Sequence, residues 1–589
     1  MIYLNKSVIP SILLMAVPLI LSAFTHLWNP IGFPSIAHDE STYLRRALQV
    51  LHGLGPQEPI TNSDHPYDHP YFGQILLAAV LGIIGYPGSL HPSVANSADA
   101  INSIQMLFTV PRLLMGILAV VDTFLIYKIA DWRYNRKVAF IASILFAVMP
   151  LTWFTRRIYL DTIQLPFILS SILFAVYCTK RNRSLSTDSD EKPLKSSRKR
   201  NIPIILLSGI FLGLAIFTKI PAITIIPLVA YLIGFRVNNS RRSIGSIIRE
   251  RKTNLKALGL WFIPVILIPA IWPLYSLSAG QFDRWRTDVL WQADREGAGL
   301  QSLQTIYSLD PVLVILGLAG LIFAAFKKDF LVLLWLIPFL IYIHISGWVL
   351  IFHWTLLIPG FCISAAAMIE WISTRIKKKN KVIEETVPQS YSEERKTSLQ
   401  ANDLDSTVSK HLLRSNWLEI GIVASIVIFG LVCTVILITM NLNSSLFQLY
   451  AFIAEYIPSY KVGDNDINSN SKITMIADKG MRDIGWIPKY VLNKDHDFRT
   501  NFRSRPVNLE EPLKTKKVLL IVDSRLMHDI PSTKTSEEHT GRLPTLYKNT
   551  KTIKIFEENR PHYDETTYPY NSNQHENRGI GKIEVRANY

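Results

Sequence analysis

Apolar positions along this chain come in long, nearly unbroken blocks. Val8 to Trp28, Leu255 to Leu277 and Trp417 to Met440 carry almost no internal charge. A bilayer span needs about 20 mostly apolar residues, and these blocks reach that length. The same pattern predicts spans near 8–28, 107–127, 138–154, 161–179, 202–217, 219–235, 257–277, 310–326, 330–347, 353–373 and 417–440. The predicted fold class is an α-helical polytopic membrane protein with about eleven spans, thirteen if two short segments also cross. The first block lacks a small-residue cleavage site and reads as an uncleaved span.

Polar segments orient the spans. KRNRS with KPLKSSRKR (180–200), RVNNSRRSIGSIIRERK (236–252), DWRYNRK (131–137) and RIKKKNK (375–381) are basic loops between apolar blocks. Such loops stay in the cytoplasm. The run FGQILLAAVLGIIGYP (72–87) decides the parity, because counting it as a span would turn the basic loops outward. It therefore reads as a re-entrant or interfacial helix. The N-terminus is then cytoplasmic, and segments 29–106 and 278–309 face outward. Segment 374–415, polar and mixed in charge, reads as a disordered cytoplasmic loop.

After Met440 the apolar runs shorten. KITMIAD (472–478), KKVLLIVDS (516–524), TIKIFEE (552–558) and KIEVRA (582–587) have strand length, and SLFQLYAFIAEYI (445–457) has helical spacing. This divides the chain into a membrane module, 1–440, and a small extracytoplasmic α/β domain, 441–589.

Composition adds two exclusions. The formal charge of +16 over 589 residues sits largely in the loops between spans, which argues against nucleic acid as a partner. Cys178, Cys362 and Cys433 lie in or at the end of apolar runs and form no metal-binding or disulfide pattern.

Charged groups at span ends need a reason. AHDESTYLRRALQVLHGLG (37–55) opens with Asp39 and Glu40 before a helix with Leu44, Leu48 and Leu51 on one face and Ser41 as a candidate cap. The pair can equally be first-turn acids favoured by the helix dipole. HPYDHPYFGQ (65–74) follows, a rigid turn or a phosphate-facing cluster. His38, Asp39, Glu40, Asp68 and His69 offer the ligand types of a divalent cation, but at no recognised metal spacing. Arg156, Arg157, Asp161, Lys219 and His353 sit at predicted outer span ends. Each can be an interfacial anchor or part of one outward-facing site.

The first-loop DE, the DHPY-F-G segment, the VPR that opens the next span, YLD and GLAIFTK occur in that order. The chain thereby resembles the protein O-mannosyltransferases and the aminoarabinose lipid A transferases of the GT-C superfamily. The resemblance covers roughly residues 8–235, and HWTLLIPGFCISAAA (353–367) more weakly. It implies a transferase that moves a sugar, mannose or a related hexose, from a polyprenyl- or dolichyl-phosphate donor to a protein, glycan or lipid acceptor. It implies reaction at the outer face of the plasma membrane, with inversion at C1. Asp39 matches the acid that acts on the acceptor, with Glu40 beside it. Lys219 matches a phosphate-side lysine and Asp161 an acid of the family. His69 stands where the aminoarabinose transferases carry a phosphate-facing Lys, and Tyr71 replaces the second Pro of the mannosyltransferases' HPPL. Arg156 and Arg157 are further candidates for the donor phosphate, and Asp68 and His353 are supporting residues. A lipid-linked sugar transporter or flippase and a non-catalytic assembly subunit are the competing readings.

The charge pattern makes a topological prediction. In intact cells a membrane-impermeant thiol reagent should label an Ile530→Cys variant and spare Asp190→Cys. The reverse pattern would overturn the map.

Overall fold

The computed structural model describes residues 9–57, 65–86, 97–187, 202–234, 244–294, 299–345, 349–385, 401–457, 473–477, 487, 496–500, 517–523, 549–557 and 583–589. The protein is mostly helical, with a small C-terminal sheet. Every run predicted to span falls on helix. The first six helices are α1 (Ile9–Leu27), α2 (His38–Leu51), α3 (Phe72–Ile83), α4 (Ser97–Arg133), α5 (Arg136–Val148) and α6 (Leu160–Thr187). Among the described residues, four helices are long and apolar enough to cross a membrane alone, or up to six if each of two bent pairs is one span. Five more apolar helices have 10–17 residues.

Three of the predicted spans carry 3-10 breaks near one end of the bundle. Arg136–Val148 bends by 69° into the 3-10 turn Pro150–Arg156. A second 3-10 turn, Ile220–Ile225, follows Ile202–Thr218 and has Pro221 near its start. A third, Ile351–Leu356, precedes Ile358–Glu385. Proline lacks the N–H that would continue the helix. A buried break must satisfy its freed backbone groups within the protein, and polar side chains converge there. At the opposite end Asp329 accepts from Arg133 Nη2 at 2.9 Å and Tyr134 Oη at 2.5 Å.

α3 has 12 residues. At about 1.5 Å per residue it is about 18 Å long, too short for a hydrocarbon core of about 30 Å. Its Gly73 is a packing requirement, since a Cβ there would lie 2.3 Å from Leu160 Cδ2. The bare backbone lets α3 lie against the start of α6.

Three expectations need correction. α2 begins at His38 with Ala37 as its N-cap, and Ser41 is buried inside the helix. The reason is that Glu40 Oε2 accepts the Ala37 amide at 2.9 Å, so no hydroxyl cap is needed. The 374–415 segment is helical at both ends, because Ile358–Glu385 and Ala401–Ile438 run into it. Only 386–400 lies outside the described residues. In the C-terminal part a fifth strand, β2 (His496–Thr500), joins β1 (Ile473–Ala477), β3 (Lys517–Asp523), β4 (Lys551–Phe556) and β5 (Ile583–Ala587). Its polar sequence HDFRT hid it. The sheet order is β2-β1-β3-β5-β4; β1 pairs in parallel with β2 and β3, and β5 pairs antiparallel with β3 and β4.

The chain after the last long helix is stitched to the chain after α1. Asn443 Nδ2 donates to the Ile31 and Pro34 carbonyls at 2.7 and 2.9 Å, and its Oδ1 accepts from the Ile36 amide at 2.9 Å. Asn29 Nδ2 donates to the Ile438 and Met440 carbonyls. Residues 29–36 and 438–443 therefore lie at the same end of the bundle. From there Ser444–Tyr456 leads to the sheet, with Phe452 packed against Phe556 at 6.0 Å between ring centroids.

Candidate active site

The site forms where α2, the 65–71 segment, the 150–161 segment and the turn at Lys219 meet. Asp39 and Glu40 are adjacent on the first turn of α2, and the fold treats them differently. Glu40 is fully buried. Its Oε1 accepts from Arg112 Nε and from the Ile158 amide, both at 3.0 Å. Its Oε2 accepts from Arg112 Nη2 at 2.7 Å and from the Ala37 amide. Arg112 also donates to the Pro30 and Pro34 carbonyls at 2.9 and 2.8 Å. Burial works to raise the Glu40 pKa, but the Arg112 guanidinium outweighs it and holds the carboxyl below its usual range. Asp39, one residue earlier, is half-buried and makes no hydrogen bond or ion pair with a described residue. It lies close enough to Tyr43, Tyr159, Asp161 and His69 for its charge to act on each.

Lys219 sits between Ile202–Thr218 and the 3-10 turn that Pro221 helps to start. Its Nζ pairs with Asp161 Oδ2 at 2.6 Å, and both side chains are buried. The ammonium also lies 4.8 Å from the Phe352 ring centroid. Asp161 Oδ1 is buried and has no hydrogen-bond partner among the described residues.

The DHPY segment supplies a second pair. Arg46 Nη1 meets Asp68 Oδ1 at 2.8 Å, and His69 Nε2 lies 3.8 Å from Asp68 Oδ2. Burial pushes the His69 pKa down to about 4; the charges of Lys219 and Arg46 add to this, against Asp68.

The two arginines of TRRIYLD separate. Arg156 turns back on α1, donating to the carbonyls of Thr25, Trp28 and Asn29. It satisfies the C-terminal end of that helix, where a cation is favoured. Arg157 donates to Tyr159 Oη at 3.2 Å and Ser35 Oγ at 3.1 Å. Tyr159 packs on Phe352 at 4.6 Å, next to Lys219. His353 Nδ1 accepts the Leu350 amide at 3.0 Å, which holds the 3-10 turn carrying Phe352.

Asp39, Asp68, His69, Arg157, Asp161 and Lys219 thus gather at one end of the bundle, with Glu40, Arg156 and His353 engaged in the backbone around them. Sequence reasoning assigned no role to Arg46, Arg112, Tyr43 or Tyr159. The VPR motif was a signal for Arg112, but its partner Glu40 lies 72 residues away. Among the described residues no group of three or more His, Cys, Asp or Glu side chains could hold a metal. Of the acids that offered metal-ligand types, Glu40 pairs with Arg112 and Asp68 with Arg46.

Comparisons with known proteins agree with this architecture. Residues 60–280 match the family model of dolichyl-phosphate-mannose-protein mannosyltransferases. No curated protein sequence matches the chain. ArnT from Cupriavidus metallidurans, solved bound to undecaprenyl phosphate, superposes with a TM-score of 0.51 at 11% identity, covering 98% of each chain. The oligosaccharyltransferase AglB from Archaeoglobus fulgidus, solved with an inhibitory peptide and a dolichol-phosphate, gives a TM-score of 0.50 at 13% identity over 92% of this chain and 73% of that one. At such identities the structures establish the fold. With the family match over 60–280, less than half of the chain, they define the class of this chain's fold, that of the membrane glycosyltransferases of the GT-C type. Its 60–280 segment, which holds the DHPY, YLD and Lys219 motifs, is the part that matches the mannosyltransferase family.

The Glu40–Arg112 pair yields a prediction. Glu40→Gln leaves a buried guanidinium without its counter-charge, a loss of about 3–5 kcal/mol for a buried pair. Thermal unfolding in detergent should fall clearly, while Asp39→Asn should unfold like the wild type. The Glu40 pKa is depressed on folding, so its contribution is complete above the ordinary glutamate value of 4.5 and is lost as pH falls through the lower folded value. The stability gap between wild type and Glu40→Gln should therefore close on acidification. A gap that persists unchanged at low pH would contradict the assignment.

Proposed function

We propose that this protein transfers a sugar, mannose or a related hexose, from a polyprenyl-phosphate donor to a hydroxyl of a protein, glycan or lipid acceptor at the outer face of the plasma membrane. The observation that carries the reading is the unengaged Asp39 carboxylate within charge range of the Lys219–Asp161 pair and His69. The donor class is supported by the polyprenyl phosphates held by the two similar structures and by the family match over 60–280.

The acceptor oxygen attacks C1 of the sugar from the face opposite the phosphate. The C1–O bond to the phosphate breaks, C1 inverts, and the acceptor's proton passes to Asp39. Negative charge grows on the departing polyprenyl phosphate. Lys219 stabilises it, since a cation fixed in a water-poor site acts most strongly where charge develops. Asp161 holds the Lys219 ammonium aimed before the donor arrives. His69 and Arg157 supply hydrogen bonds to the phosphate or sugar. Arg156 and Glu40 are positioning residues. The N-terminus is cytoplasmic and the C-terminal sheet extracytoplasmic. The bonds that tie 438–443 to 29–36 support one side for the sheet and the Asp39 loop.

Asp39→Asn keeps size and hydrogen bonding but cannot take the proton. With purified protein and a defined polyprenyl-phosphate sugar, transfer should drop about 10²–10⁴-fold while donor binding survives. An Asp39→Asn enzyme with wild-type turnover would remove Asp39 as the base. Lys219→Ala should lower turnover by the equivalent of ~2–3 kcal/mol of barrier. A product-release assay would expose the error if the rate held.

A further inference from the structure

The second outer segment carries a buried acid that the reaction does not use. Helix Phe282–Asp294 lies over the HPYDHPY segment. Its surface is largely open, with Phe282 39% and Leu290 52% exposed, yet Asp288 is fully buried. A buried carboxylate is costly unless charged or hydrogen-bonding groups hold it. Asp288 Oδ2 accepts the Tyr67 amide at 2.9 Å. Its Oδ1 lies 3.2 Å from His65 Nδ1 and 3.2 Å from Arg284 Nε. The His65 ring in turn stacks on Trp291, 3.6 Å between centroids and 13° from parallel. Trp285 and Val289 of the same helix pack on a small cluster of Tyr67, Tyr71, Phe217 and Trp272.

These contacts reach both halves of the donor side. The Tyr67 amide is one peptide from Asp68 and two residues from His69. Phe217 is two residues from Lys219. Loop backbone is ordinarily the mobile part of a site, and a charge-assisted bond to an amide fixes its register. We propose that helix Phe282–Asp294 is a latch that sets the register of Asp68, His69 and Lys219, with Asp288 as its positioning residue. The inference rests on the donor-side reading above and adds a control point outside the reacting groups.

The test compares Asp288→Leu, which removes the acceptor, with Asp288→Asn, which retains an oxygen for the Tyr67 amide. Purified enzymes are assayed with a polyprenyl-phosphate mannose. Asp288→Leu should raise donor KM on the order of tenfold or more, the scale of a hydrogen bond to a charged group, with acceptor KM unchanged. Asp288→Asn should restore most of the loss. A general loss of folded enzyme would lower kcat and spare donor KM, so that result overturns the latch. Hydrogen exchange at the Tyr67 amide gives a readout independent of activity: it should accelerate in Asp288→Leu and stay slow in Asp288→Asn. Should Asp288→Leu fail to fold, Trp291→Ala, which removes only the stack on His65, should still raise donor KM and speed Tyr67 exchange; unchanged values overturn the proposal. If the wild type transfers no sugar, the functional reading fails, and Tyr67 exchange alone then decides whether the latch exists.

Discussion

The arrangement of this protein's outer end depends on one buried ion pair, Glu40 with Arg112. Each partner binds more than the other. Glu40 takes the Ala37 amide at the start of α2 and the Ile158 amide ahead of α6, while Arg112 on α4 takes the Pro30 and Pro34 carbonyls. Three chain segments distant in sequence, 30–40, the middle of α4 and the stretch before α6, are therefore registered at one point. Removing two charges from water is expensive, and such pairs add little net stability over apolar packing. What this one supplies here is direction. Successive residues on a helix point about 100° apart, so fixing Glu40 inward leaves Asp39 turned toward the cluster of Lys219, Asp161 and His69.

Charge matching in that cluster makes Asp39 stand out. Arg46 answers Asp68, and Lys219 answers Asp161. Arg156 is committed to the carbonyl end of α1. Asp39 makes no hydrogen bond or ion pair with a described residue, and that sets it apart from its neighbours. The same crowding lowers the His69 pKa, through burial and the charges of Lys219 and Arg46, against Asp68 and Asp39.

The helix breaks explain why the chemistry gathers at one end. Continuous helices satisfy their own backbone and offer a bilayer only side chains. At Pro150–Arg156, Ile220–Ile225 and Ile351–Leu356 the helices tighten into 3-10 turns. Each break carries a residue of the site: Arg156, Lys219 at the N-cap, and Phe352 with His353. Gly73 completes the geometry by letting α3 press against Leu160, beside Asp161.

The sequence by itself determined the membrane character, the position of nearly every helix, the shortness of α3 and four of the five strands. Those features follow from local hydropathy and periodicity, which a linear reading sees directly. It also picked out the residues that converge, since charge at a span end is costly and therefore conspicuous. Only the tertiary structure decided their roles. That Glu40 is held by Arg112 and the Ile158 amide, that Arg156 caps α1 while Arg157 faces Ser35, and that Asp68 pairs with Arg46 all depend on partners outside the local sequence. HDFRT of β2 likewise became a strand only by pairing with β1. Hydrogen bonds and ion pairs act over a few ångströms of space, whatever the sequence separation, so neighbouring residues of the same chemistry can be given opposite tasks by the fold.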